Sequence, residues 1–452
     1  MRIPRPNVKR LAIAAAAMLL ALPGCRQSPD PSQGRVVVEY WEKWTGFEAD
    51  AMRAVVDDFN ASQNRIYVDY TSTSQIDRKL MLATAGGVPP DLAGIYSSRL
   101  PVYAENNALM PLDKMAADAG ITRDRYIDIF WQMSMHRGHL WCLPSTPSCT
   151  ALIWNKKMFR DAGLDPEKPP RTIAELEQDN QKLIKRRPDG SLQSIGYIPE
   201  VPGYWDPLWG YFFGGSLWNG RDAITATDPG NVAALQWIAS YPKRFGVHDL
   251  LTFCDGFGSL ASPQNPFFNG RVAMIMDGVW DYNFIKNYAP ANFEWGVAPF
   301  PSADPVTLKD VTIVEMDGLV IPAGAKHPKE AFDFIQYVNT QKPMEKLCLL
   351  QRKFSPLREC SAQFYRDHPN PCIATFVKLA KSPNARPVPP LAMWMQYQND
   401  MMNAVNRVWT GKAQPEQALE RVQERDSQAF ARTQARWHRL APLLTAEWSK
   451  QP

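Results

Sequence analysis

Apolar and polar positions follow two rhythms along the first hundred residues. Val36 to Trp41 is a short, mostly apolar, β-branched run, the pattern of a strand buried in a parallel sheet. A polar-aromatic loop, Glu42-Lys-Trp44-Thr-Gly46, ends it. Phe47, Ala51, Met52, Val55, Val56 and Phe59 then recur as one face of a helix. Ile66, Val68 and Tyr70 alternate with polar residues and predict a second strand. A helix carrying Ile76, Leu80 and Ala83 closes at Gly86-Gly87. Pro89-Pro90-Asp91 opens a third strand, Leu92 to Tyr96, and Ser97-Ser98 begins another helix. Strand–helix alternation of this kind predicts an α/β lobe with ligand loops at the carboxyl ends of its strands.

The run from Leu140 to Phe159 breaks that rhythm. It is densely apolar, yet Pro144 and Pro147 interrupt it, and Cys142 and Cys149 bracket the prolines. Proline fixes its own φ and biases its predecessor towards extended backbone. The residues alone allow two readings: two short strands joined by a stiff crossing, or one bent strand within a single domain.

Beyond it, Thr172-Ile-Ala-Glu175 has the form of a capping box ahead of Leu176, Leu183 and Ile184. Residues 203–215 are the most aromatic window. Asn269 to Met276 is a turn into a strand, and Trp295 to Pro301 a proline-limited one. Residues 310–314 and 318–321 flank Glu315-Met-Asp317, a second candidate crossing. Lys329 to Thr340 is a helix with Ala331, Phe334, Ile335 and Val338 on one face, and 393–448 reads as helices interrupted by Gly411 and Pro415.

A chain of 452 residues exceeds one compact core, so two or more domains are expected. Its charge changes meaning on inspection. Arg2, Arg5, Lys9 and Arg10 carry four of 50 basic charges; the rest balance the 46 acids. No basic field remains to suggest nucleic acid. Those four residues precede an apolar run, Leu11 to Leu22, of the length of a secretory signal and too short to span a membrane. Its end, Leu22-Pro-Gly-Cys25, resembles the bacterial lipobox, which implies cleavage before Cys25 and a diacylglycerol on its thiol. Residues 25–34 form a polar, proline-bearing tether.

Export to an oxidising compartment makes disulfides the expectation for the other six cysteines. Locality suggests Cys142–Cys149 and Cys348–Cys360, leaving Cys254–Cys372; buried free thiols are the rival reading. No metal is expected: no CxxC pair occurs, and His136-Arg-Gly-His139 reads as a solvated turn.

The order of motifs resembles the extracellular solute-binding proteins of ABC importers, carbohydrate-binding family 1, over nearly the whole chain after residue 34. The matching pieces are Tyr40-Trp-Glu-Lys-Trp44, Gly87 to Leu92 with Asn107 to Leu112, and Leu143-Pro144 with Ala151 to Phe159. Ala162 to Asp165, Phe268 to Met274 with Gly278-Val-Trp280, Gly296 to Pro301, and Gly318 to Pro322 before Lys329 to Phe334 follow in the family's order. The resemblance implies an α/β, two-lobe periplasmic-binding-protein-like fold of type II. Lobe one would take 35–147 and 318–350, lobe two 148–317 and 351–452, and the Leu140–Phe159 run would be the first crossing. It further implies an extracytoplasmic, lipid-anchored monomer that captures a carbohydrate-like solute and passes it to permease and ATPase subunits, without cofactor.

By family position, the ligand set would be Trp41, Glu42 and Trp44 in the first loop, with Tyr96, Ser97 and Ser98 after the third strand. Ser145 and Thr146 would come from the first crossing, and Tyr204, Trp205 and Trp209 from the aromatic window. Trp280, Asp281, Asp317, Arg358 and Trp394 complete it. The chemistry suits sugars, whose C–H faces pack on flat rings while carboxylates and amides satisfy hydroxyls. The rivals are a secreted carbohydrate-active enzyme, with Glu42 and Asp281 as an acid/base pair, and a sensory lipoprotein without an importer. Polyols, glycerophosphodiesters or peptides could occupy the same fold. No GxSxG, HExxH or GK[ST] phosphate loop supports a hydrolase or ATPase.

Overall fold

The computed structural model describes Ser32 and residues 34–448. The expected signal (1–24), the expected lipidation site Cys25 and most of the tether lie outside the described residues. Strand β1 (Val36–Glu42) pairs in parallel with β2 (Ile66–Ser72) in unbroken register and with β3 (Leu92–Tyr96). Helix α1 (Gly46–Ser62) buries Ala49, Ala51, Met52, Val55, Val56 and Phe59. Phe47, expected on that face, is exposed and turns to the cleft. Helices α2 (Pro328–Val338) and α3 (Gln341–Gln351) complete this core with Phe334, Ile335, Val338, Met344 and Leu347.

A second core gathers Leu152 to Trp154, the aromatic window, Phe300, and helices α4 (Trp394–Trp409) and α5 (Pro415–Trp448). Two long strands join the cores. Strand β4 (Leu143–Asn155) places Leu143 in the first core and Leu152 to Trp154 in the second. Strand β5 (Met274–Gly278) pairs with its far half, and so does β6 (Trp295–Ala298). Strand β7 (Thr312–Val320) runs antiparallel beside β4 from the second core to the first. The crossing within the Leu140–Phe159 stretch is therefore one strand, Leu143–Asn155, and residues 156–159 already belong to the helix that follows.

The prolines sit where β4 can tolerate them. Register with β7 runs Glu315↔Ser148 and Met316↔Pro147, then shifts before Gly318↔Pro144. A bulge leaves one residue without a ladder partner and bends the strand, and proline in a sheet is confined to such breaks. The break sets Asp317 of β7 opposite two residues of β4, Ser145 and Thr146.

Four expectations need correction. All six described cysteines are free thiols. Cys142 and Cys149 lie seven positions apart on one extended run, about 23 Å at roughly 3.3 Å per residue, far beyond the ~7 Å that a disulfide spans. Cys348 packs on Met344 Sδ at 3.8 Å, and Cys254 and Cys372 border different cores. His136 is no solvated turn residue: it is buried, 3.0 Å from Glu105 Oε1. The chain also stays in the first lobe beyond residue 350, because Leu357 and Phe364 pack in its core. Arg352, at φ 57°, caps α3 in the left-handed conformation and turns the chain back. Trp209 and Arg358, expected at the cleft, lie elsewhere: Trp209 in the second core and Arg358 in a separate cavity.

Candidate functional site

Where β1, β3 and the crossing strands meet the aromatic window, a cavity of about 430 Å³ opens between the lobes. Trp44, Phe47, Tyr96 and Ser98 face it from the first lobe, and Tyr204, Trp205, Trp280, Phe284 and Trp394 from the second. Asp317 and Glu315 line it from β7. Trp280 and Trp205 lie with ring centroids 6.0 Å apart, and Tyr204 stands edge-on to Trp205 at 5.1 Å. Trp280 lies against backbone because residue 278 is glycine: a Cβ there would come within 2.1 Å of the ring.

Beneath the first-lobe wall lies a buried charge chain. Lys43 Nζ contacts Asp317 Oδ1 at 2.7 Å and Glu42 Oε1 at 3.2 Å. Tyr40 donates to Glu42 Oε2 at 2.7 Å, and Thr146 to Asp317 Oδ2 at 3.2 Å. The Lys43 ammonium also sits 4.5 Å from the Tyr96 ring centre and 5.0 Å from that of Trp44, within cation–π reach. Burial lowers the tendency of Lys43 to hold its proton, but Asp317 and Glu42 outweigh it and raise its pKa. Glu42 moves up because burial dominates over Lys43. Gly94 makes room for it, since a Cβ would fall 1.8 Å from Glu42 Oε2.

The other cations at the cavity are paired too. Lys353 Nζ meets Glu48 Oε1 at 2.6 Å, and Arg99 Nε meets Asp77 Oδ2 at 2.9 Å. Glu315 makes no such pair, and burial followed by the nearby Asp317 charge pushes it up to about 7. Arg99 Nη1 and Trp205 Nε1 are buried donors without a protein partner. Such groups cost free energy unless a ligand or water meets them.

Behind Tyr204 and Trp280 is a second acidic pair. Tyr204 donates to Asp277 Oδ1 at 2.8 Å, as does the Gly278 N–H at 2.7 Å. Asp277 Oδ2 and both Asp281 oxygens have no protein donor. Burial raises both carboxyls, Asp277 to about 7, and the Asp277 charge raises Asp281 further.

The expected ligand set is thus partly assembled. Trp44, Tyr96, Ser98, Tyr204, Trp205, Trp280, Asp317 and Trp394 line the cavity. Glu42 and Thr146 lie one layer back, holding Lys43 and Asp317. Ser145 is buried and donates to Asp317 O at 3.1 Å, and Ser97 Oγ accepts from Met316 N at 3.4 Å. Trp41 packs against the apolar cluster at the lobe junction. Trp209 is core, enclosed by Tyr197, Phe212, Trp237 and Phe300. Asp281 is buried behind the wall, and Arg358 lines a different cavity. Glu42 and Asp281 do not both open on the cavity, so the acid/base pair of a glycosidase is not assembled. Sequence reasoning missed Lys43, Phe47, Glu48, Arg99, Glu315 and Lys353. Glu315 had a usable signal, since it lies two positions from a chosen carboxylate, Asp317. Among the described residues no group of three or more His, Cys, Asp or Glu could hold a metal ion.

An inter-lobe cleft of this kind, on two crossing strands, has counterparts. Residues 47–345 match the family described as bacterial extracellular solute-binding protein. The chain belongs to that family. This solute-binding protein is 24% identical over 462 aligned residues to the sn-glycerol-3-phosphate-binding periplasmic protein UgpB of Pectobacterium atrosepticum, covering 95% of this chain and 98% of the relative. A solved structure of CpMnBP1 with mannotriose bound is 27% identical, with a TM-score of 0.75 over 86% of this chain and 99% of its own. The sugar-binding protein MalE from Xanthomonas citri shares the fold at 20% identity, with a TM-score of 0.73 over 88% of this chain and 98% of its own. The solute-binding protein thus has the two-lobe, type II architecture. Among the described residues no helix is long and apolar enough to cross a membrane.

Proposed function

We propose that this solute-binding protein captures a carbohydrate-like solute between its lobes and delivers it to the permease and ATPase of an ABC importer. It acts as a monomer held at the membrane by a lipid on Cys25. The observation that carries the ligand class is the composition of the cavity wall. Eight aromatic rings, those of Trp44, Phe47, Tyr96, Tyr204, Trp205, Trp280, Phe284 and Trp394, surround it, and its cations already have acid partners. Flat rings match the C–H faces of pyranoses, while Glu315, Asp317, Ser98 and Gln398 can meet hydroxyls. Two relatives point to different ligands, mannotriose in one and sn-glycerol-3-phosphate in the other. The paired cations favour the first class, because a phosphate would require free positive charge. A ligand touching both lobes selects the closed population.

A thermal-shift screen over neutral mono- and oligosaccharides tests the reading, since a ligand of the folded state raises the melting temperature. At least one saccharide should raise it by several degrees. No shift with any saccharide, alongside a shift with glycerol phosphate, would reverse the assignment.

A further inference from the structure

The cleft does not end at its aromatic wall. Ser98 and Val388 line it and also line a neck of about 180 Å³, whose other walls include Ile129, Met133 and Pro390. Ile129, Gln132 and Pro387 line both that neck and a vestibule of about 670 Å³. Shared walls make the three spaces neighbours in a row, and together they exceed the roughly 300–1,000 Å³ usual for a small-ligand pocket. A monosaccharide would leave most of it empty.

The vestibule differs from the cleft in charge. Arg358, Lys381 and Arg386 line it, against a single acid, Asp128. The Asp128 carboxylate is already taken by Arg123 and Gln132. The three cations are held by neutral groups: Arg358 Nε by Asp124 O at 2.9 Å, Lys381 Nζ by Arg358 O at 3.4 Å, and Arg386 by Pro383 O at 3.0 Å and Asn384 Oδ1 at 2.9 Å. Among the described residues none of them has a carboxylate within ion-pair distance, whereas the cations of the cleft all do. Arg358 feels the charges of Asp124 and Asp128 at longer range, but cations without a contacting carboxylate beside an apolar neck are an anion-recognising arrangement.

We propose that the solute is an oligosaccharide whose neutral rings occupy cleft and neck and whose terminal anionic group, a carboxylate or a phosphate, is held by Arg358, Lys381 and Arg386. This inference rests on the carbohydrate reading above and extends it to a specificity subsite. The test is calorimetric titration of the full chain with three probes. They are the neutral oligosaccharide giving the largest thermal shift, the same molecule ended by a uronate, and the same molecule ended by a phosphate. One of the charged forms should bind about tenfold tighter than the neutral one. The gain should vanish in the Lys381→Gln, Arg386→Gln double variant and shrink with salt, while the neutral probe keeps its affinity and reports an intact fold. Equal affinity for all three probes, or a gain the double variant retains, overturns the inference and leaves the carbohydrate reading standing. Failure of every saccharide to bind overturns both.

Discussion

Trp209 and Trp280 come from neighbouring walls of the second lobe and have different partners. Trp209 is enclosed by four rings, so Trp209→Ala opens a cavity in the core and should cost about 3–5 kcal/mol of stability in a denaturant melt. Trp280 keeps one face on the cleft, so Trp280→Ala should leave the fold in place while ligand affinity falls at least tenfold by titration. Periodicity and composition cannot separate such cases, because burial of a ring depends on what the rest of the chain brings against it. Clusters of rings beside polar residues were legible at Tyr204-Trp205 and at Trp280. The buried lysine between Glu42 and Trp44 was not, since a sequence lysine reads as solvated until its acids are placed. The Asp277 carboxyl carries a pH prediction. Its folded-state pKa, about 7, lies above its ordinary value of 3.8, so the folded protein holds a proton that the unfolded chain releases in that window. Stability should therefore fall as pH rises from about 4 to about 7, and Asp277→Asn should flatten that slope in melting temperatures measured at pH 5 and pH 8.

The β4–β7 pair is the element on which the site is built. Its apolar run and prolines announced an extended crossing, but the cysteines suggested a bridge that a continuous strand forbids. Strand geometry, not spacing, decides this, and it becomes visible only once Pro144 and Pro147 are seen to face the bulge beside Asp317. Cys142 fills the space over Gly318, where a Cβ would lie 2.7 Å from its sulfur, and Cys149 donates to Phe376 O at 3.3 Å. Burial pushes the Cys142 thiol up to about 12 and raises Cys149 as well. Both should resist alkylation in the native protein and label fully in denaturant without reductant, as read by mass spectrometry. Reductant should change neither melting temperature nor ligand affinity.

At the scale of the molecule, α5 ties the two lobes together. Its first half packs Leu419, Val422 and Phe430 into the second core. Its end places Trp448 against Trp141, with ring centroids 4.7 Å apart, and Trp448 Nε1 donates to Asn107 Oδ1 at 2.8 Å. Arg137 reaches back from the first lobe to Gln434 Oε1 at 3.0 Å. The helical pattern of the tail was legible, but an amphipathic face does not say which lobe covers it. Removing residues 437–452 should raise hydrogen exchange at 105–109 and 139–141 and lower the melting temperature, with the second core little affected. The cleft between these tied lobes is proposed to take a saccharide. Calorimetric titration with neutral oligosaccharides and with glycerol phosphate tests it most directly. Saturable binding of an oligosaccharide, lost in Trp280→Ala, is the expected result; tight binding of glycerol phosphate with no response to any saccharide would overturn the assignment.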